Sequence, residues 1–230
     1  MGANVLVDLS YFVVAVVFIL GLKAMSSPVT ARKGIVWAGA AMIGATLVTF
    51  ATPGLGNHGL MITAIVLGGA LATWSGRAVK MTDMPQMVAI YNGMGGGAAA
   101  AIAALEFARG AVHGPGAATL AVLGALIGAV AFSGSCIAFA KLQGIMKKAW
   151  RLPQQNVVNV ALAALTVVLG AAIVATATPT PALVIAFFIA ALALGVILTS
   201  PIGGADMPVV ISLLNAFTGL AVGFEGFVLG

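Results

Sequence analysis

Polar and charged residues along this chain leave eight apolar runs between them, at approximately 5–22, 34–52, 59–76, 84–105, 117–140, 156–177, 181–199 and 207–229. Each approaches the ~20 residues an α-helix needs to cross a ~30 Å hydrocarbon layer. Helix breakers stand between them: Ser27-Pro28, Thr52-Pro53-Gly54, Gly114-Pro115-Gly116, Pro153, Pro179 with Pro181, and Pro201 with Gly203-Gly204. The pattern predicts an all-α, polytopic transmembrane helix bundle of about eight spans. Residues 1–230 read as one membrane domain, with no stretch polar enough for a soluble one.

Within that pattern one motif occurs twice. Asp83-Met84-Pro85 is followed by Asn92 and Gly96, and Asp206-Met207-Pro208 by Asn215 and Gly219, at identical spacing. An Asp that can cap a helix, with Pro in the first turn, starts a helix cleanly. Nine helical residues rise roughly 13 Å, about half the hydrocarbon thickness. Both amides are thus expected near mid-membrane, and at equal depth if the two helices start from the same side.

Composition agrees with a membrane protein. Apolar residues are 62% of the chain and charged residues 7%, with mean hydropathy +1.18, where a soluble chain carries about 25% charged residues. The 30 glycines fit helices that pack closely through small side chains. A net charge of +5 does not point to nucleic acid, because the basic residues sit in short loops and form no stripe. Cys136, the only cysteine, cannot form an intrachain disulfide. A cleaved signal peptide requires a Lys or Arg ahead of its apolar run, whereas none precedes the first run here and Asp8 stands near its start.

The charges also orient the chain. Lys23, Arg32 and Lys33 follow the first span, Arg77 and Lys80 the third, and Lys141, Lys147, Lys148 and Arg151 the fifth, leaving only Arg109 on the opposite side. The positive-inside rule places these loops in the cytoplasm (or matrix) and the N-terminus outside. Asn92 and Asn215 then enter from the same side, and residue 230 ends outside.

Several polar residues invite a functional reading. Gly93-Met94-Gly95-Gly96-Gly97-Ala98 matches a dinucleotide fingerprint in form, but that motif must follow a strand; inside an apolar span it reads as a close helix contact through Gly93/Gly97. Gly124/Gly128 and Gly219/Gly223 present the same kind of face. Asn92 and Asn215 can be interhelical glue or can line a hydrated path. Ser133 and Ser135 lie roughly 9–12 Å from the inner end of their span and can each simply bond the carbonyl one turn back. Asp83 has Arg77 and Lys80 nearby and reads as a plain cap. Asp206 has no basic residue in its loop and reads as a proton uptake or release group. Glu225 lies deep in the last span, either reaching outward or holding a proton. His58 and His113 read as solvated outer-loop residues, Tyr91 and Trp74 as packing or interface residues. No metal site is expected.

At Met81-Thr82-Asp83-Met84-Pro85-Gln86-Met87-Val88-Ala89, Phe132-Ser133-Gly134-Ser135, Ala138-Phe139-Ala140-Lys141-Leu142, and Gly203 through Asn215, the chain resembles the membrane domain of the beta subunit of proton-translocating nicotinamide nucleotide transhydrogenase. The resemblance runs over essentially all 230 residues. It implies hydride transfer between NAD(H) and NADP(H) coupled to proton movement across a bacterial or mitochondrial inner membrane. It also implies that both nucleotides sit on soluble domains and none on this chain: NAD(H) on an alpha subunit that brings membrane helices of its own, NADP(H) on a domain following this membrane part. A ninth span before that domain and a homodimer of the complex are further implications. Carried over by position, Asn215 and Ser135 match proton-channel residues, and Asp206 the acid at the inner mouth. Asn92 stands where many members carry a histidine regarded as the central proton-binding group. Asn cannot titrate, so a group on an alpha-side helix or a water chain is expected to hold the proton. The rival readings are a secondary transporter for a small cation or solute and a non-catalytic assembly subunit. The repeat here is parallel, whereas many transporters use inverted repeats.

Overall fold

The computed structural model describes residues 2–52, 54–176 and 178–229. Among these there is no strand, and eight helices are long and apolar enough to cross a membrane. They are α1 (Gly2–Met25), α2 (Ala31–Phe50), α3 (His58–Ala78), α4 (Met84–Arg109), α5 (Gly114–Leu142), α6 (Gln155–Ala175), α7 (Pro181–Thr199) and α8 (Met207–Leu229). Each coincides with one apolar run, because only a helix satisfies its own backbone in hydrocarbon.

The helices fall into two compact units, Met1–Ala78 and Val79–Gly230. In the first, α1 and α2 form an antiparallel pair. A Cβ on Gly21 would stand 3.0 Å from the Gly34 carbonyl oxygen, and the Tyr11 hydroxyl lies 2.8 Å from Thr49 Oγ1. α3 buries none of its residues. His58 opens it, exposed, with its ring 5.9 Å from that of Phe50.

The second unit is built around α5, which packs on α4, α6, α7 and α8. Its boundaries follow local chemistry. α4 ends on Gly110, whose left-handed φ of 63° lets the Ala111 amide reach back to the Glu106 carbonyl at 3.1 Å. α7 begins with Thr180 accepting from the Leu183 amide at 3.4 Å, with Pro181 as its first residue. Ala89, Ala138, Met207 and Ile211 form one cluster, while Ala103, Phe107, Ala121, Val122, Ala125, Ile173 and Phe187 form another. The first shows α4 and α8 starting at the same end of the unit, with α5 antiparallel to both. We call this the Asp206 end and the opposite one the Arg109 end.

Both Asp-Met-Pro copies fold alike. A single 3-10 turn, Met81–Asp83 or Gly204–Asp206, leads into the helix at the Met. Its last amide donates to the residue three before it, Asp83 to Lys80 at 2.9 Å and Asp206 to Gly203 at 3.1 Å. The Asp83 carboxylate makes no cap hydrogen bond, contrary to the capping expectation. With φ −101° and ψ 4° its backbone is not in the extended region from which a cap side chain reaches the next amides.

Candidate functional site: a polar seam between three helices

The α4–α5 contact is set by glycine. A Cβ on Gly96 would stand 2.9 Å from the Gly128 carbonyl oxygen, and one on Gly128 2.7 Å from that of Gly96. Next to this crossing, a Cβ on Gly93 would stand 3.1 Å from the Ser135 Cβ, and one on Gly97 2.9 Å from the Phe132 ring. The glycine run is therefore a helix contact, as its place in an apolar span indicates. The same holds for Gly128, while Gly124 faces α8. Gly219 and Gly223 meet nothing within 4 Å. The expectation of a contact face there fails because α8 buries a different stripe: Met207, Ile211, Leu214, Thr218, Ala221 and Glu225.

This close approach puts Asn92 and Ser135 in register. Asn92 Nδ2 donates to Ser135 Oγ at 2.9 Å, with both residues buried. Asn92 Oδ1 is buried without a partner. Three consecutive residues of α5 serve three directions. Ser133 bonds back to the Ala129 carbonyl at 3.0 Å and lies against Gly195 of α7, so backbone bonding accounts for it. Gly134 admits Thr199 and Leu214. Ser135 is the one that meets α4.

Asn215 is not brought to this pair. It is exposed, as is Gly219, whereas their counterparts Asn92 and Gly96 are buried. The two repeated helices begin identically and start at the same end, so the amides do sit equally far along. They do not face each other within this chain, because Asn215 lies beside the buried Leu214 and off the stripe that meets α5.

At the Asp206 end, Lys141 was counted in the sequence as a loop charge. It is instead 6% exposed, in the last turn of α5, and its ammonium donates to the carbonyls of Thr199, Ser200 and Ile202. An ammonium with three donors fits the carbonyls left outside the helical ladder where α7 ends, of which Ser200 also accepts from the Trp150 amide and Thr199 from the Ile202 amide. This clamp holds the segment leading to Asp206. Beyond it, Asp206 lines an open cavity of about 440 Å³ with Arg151, Gln155, Asn156, Asn159 and the 201–203 turn. Gln155 Nε2 donates to Asn159 Oδ1 and to the Ile197 carbonyl, each at 3.0 Å. The acid thus shares its cavity with a basic residue and three amides that its own loop does not contain. Nothing in the loop of Asp206 points to those four residues, since they come from α6 and the loop before it, about 50 residues earlier in the chain.

His113 Nδ1 lies 2.7 Å from the Ala111 carbonyl, at an exposed position before α5. Trp74 and Tyr91 are exposed, and Asp83 is half-buried. Glu225 does not reach outward: it is 2% exposed.

Helices of membrane-crossing length, with a sealed amide–hydroxyl pair between them and a polar cavity at one end, define a polytopic α-helical membrane domain. Residues 7–230 match the model of the family described as NAD(P) transhydrogenase beta subunit. Two curated relatives named NAD(P) transhydrogenase subunit beta, both from Rhodospirillum rubrum and one of them from strain ATCC 11170, are each 40% identical over 231 aligned positions, covering 96% of this chain and 49% of the relative. The chain belongs to the NAD(P) transhydrogenase beta subunit family and is a multi-pass membrane protein. It spans about half the length of the curated relatives it matches.

Proposed function

We propose that this chain is the proton-translocating membrane part of a transhydrogenase that couples hydride transfer between NAD(H) and NADP(H) to proton movement. The observation that carries the reading is the Asn92–Ser135 pair, buried where α4 and α5 touch, with one amide oxygen left over. A pair serving only as glue between helices uses up its acceptors; a spare buried acceptor beside a hydroxyl can orient water and relay a hydrogen bond. The nucleotides act on soluble domains of the complex, NAD(H) on an alpha subunit and NADP(H) on a further domain of the beta subunit. The Asp206 end faces the cytoplasm of a cell whose inner membrane holds the complex, the N-terminus lies outside, and the complex is a homodimer. Asp206, in its polar cavity, passes protons between the cytoplasmic water and the seam.

Asn215, exposed on this chain, lines the path together with an alpha-subunit helix. Such an arrangement explains how residues of matching depth can serve one path without touching. The test is reconstitution of the whole enzyme in vesicles with a trapped pH dye and both nucleotides. Proton movement that follows the NADPH/NADP ratio and is lost in Ser135→Leu is expected. Hydride transfer with no proton movement in the unmodified enzyme refutes the reading.

A further inference from the structure

The Arg109 end of the seam contains an acid that none of these roles employs. Glu225 lies in the last two turns of α8, on its buried stripe, and neither carboxyl oxygen has a partner among the described residues. Its place is made by Gly124 of α5: a Cβ there would overlap Oε1 and stand 3.3 Å from the Ala221 carbonyl oxygen. No basic side chain among the described residues pairs with it. α5 brings no titratable group to this height, since its Cys136 and Lys141 lie toward the other end. α4 brings Glu106, a charge of the same sign that acts on Glu225, with the exposed Arg109 at the helix end. Buried structural carboxylates are paired or hydrogen-bonded; this one is neither.

Two further orphaned groups lead to it. Thr218 Oγ1, two helical turns back along the same stripe, is buried without a partner. The Thr218 methyl stands 3.0 Å from where a Cβ on Gly95 would be, and Gly95 lies three residues beyond Asn92. Asn92 Oδ1, Thr218 Oγ1 and the Glu225 carboxyl therefore follow one another along the α4–α5–α8 seam from mid-helix toward the Arg109 end. The span from Thr218 to Glu225 is roughly 10 Å, a distance that water molecules bridge.

Resting on the proton-path reading above, we propose that Glu225 is the group of this chain that binds and releases the translocated proton, with Thr218 and the Asn92–Ser135 pair relaying between it and the Asp206 end. The step is a proton transfer only: hydronium protonates the carboxylate, leaving water and the carboxylic acid, and release runs the same step backward with no change of oxidation state. Asn92 and Thr218 do not titrate; they orient the water that carries the proton.

The experiment uses the whole enzyme in vesicles, comparing wild type with Glu225→Gln, Glu225→Asp and Glu106→Gln. Proton movement in Glu225→Gln is expected to fall by about tenfold or more and to lose its pH dependence, while nucleotide hydride exchange by the soluble domains continues. Glu225→Asp keeps partial proton movement with a displaced pH profile. In infrared spectra of 13C-glutamate-labelled enzyme, a protonated-carboxyl band that titrates is expected, lost in Glu225→Gln and kept in Glu106→Gln. Native-rate proton movement with a native pH profile in Glu225→Gln overturns the proposal, provided the unmodified enzyme pumps. If the unmodified enzyme does not pump, the proton-path reading fails first. Should the Gln variant not assemble, an unaltered pH profile in Glu225→Asp, or the absence of a titrating band in wild type, overturns it equally.

Discussion

The Asn92 amide and the Ser135 hydroxyl meet at 2.9 Å beside the point where Gly96 and Gly128 bring two helix backbones into contact. Larger residues at the crossing would hold α4 and α5 apart, and the polar pair would have no bond. Small side chains here place a hydrogen bond in the interior of the helix bundle, so packing decides whether the polar pair forms.

Ser135→Ala removes the acceptor and leaves the Asn92 Nδ2 group buried and unpaired. A stability loss of about 1–3 kcal/mol is expected, read as a lower melting temperature in detergent. Proton-coupled turnover of the assembled enzyme falls with it. Unchanged stability shows that the bond is not formed in solution.

Gly96→Ala and Gly219→Ala form a matched pair. The first puts a methyl against the Gly128 carbonyl, 2.9 Å away, and is expected to cost about 1–3 kcal/mol. The second meets no atom within 4 Å and is expected to be neutral or to gain up to about 1 kcal/mol of helix propensity. Thermal unfolding of the two purified chains checks the contrast, and equal effects contradict the assigned helix faces.

Lys141→Met takes the ammonium away from the carbonyls of Thr199, Ser200 and Ile202. Faster amide exchange is expected over residues 200–206, together with slower coupled turnover. Lys141→Arg does not restore the clamp, because a planar guanidinium cannot converge on three carbonyls as a compact ammonium does. Unaltered exchange in the Met variant means the clamp holds nothing that matters.

Asn215→Leu is expected to leave the stability of this chain unchanged, since the side chain is exposed and bonded to no described residue. Proton-coupled turnover of the complete enzyme is expected to stop, with hydride exchange between isolated soluble domains intact. Coupled turnover at the native rate reduces Asn215 to a surface residue.

Asp206→Asn keeps the size of the group lining the cavity with Arg151 and replaces the carboxyl with an amide that cannot exchange a proton. The pH profile of coupled turnover is expected to change; an identical profile removes Asp206 from the path.

Much of this protein was legible in the chain itself. All eight helices follow the apolar runs, because a lipid-crossing segment must be both long and apolar, and that property is local. The first helix is longer than its run, Gly2–Met25 against 5–22, since helix bonding carries on through flanking polar residues. The two Asp-Met-Pro starts are also local and come out alike. Three things depended on tertiary structure. Asn92 is buried and Asn215 exposed despite identical spacing, because which face of a helix is covered depends on its neighbours and not on its own sequence. Ser135 meets α4 while Ser133, two residues away, meets α7, since a central helix divides its circumference among several partners. Lys141 and Glu225 are buried, one clamping carbonyls from 58 residues further along the chain and one seated on Gly124. Their surroundings come from segments distant in sequence, and only folding brings those segments together.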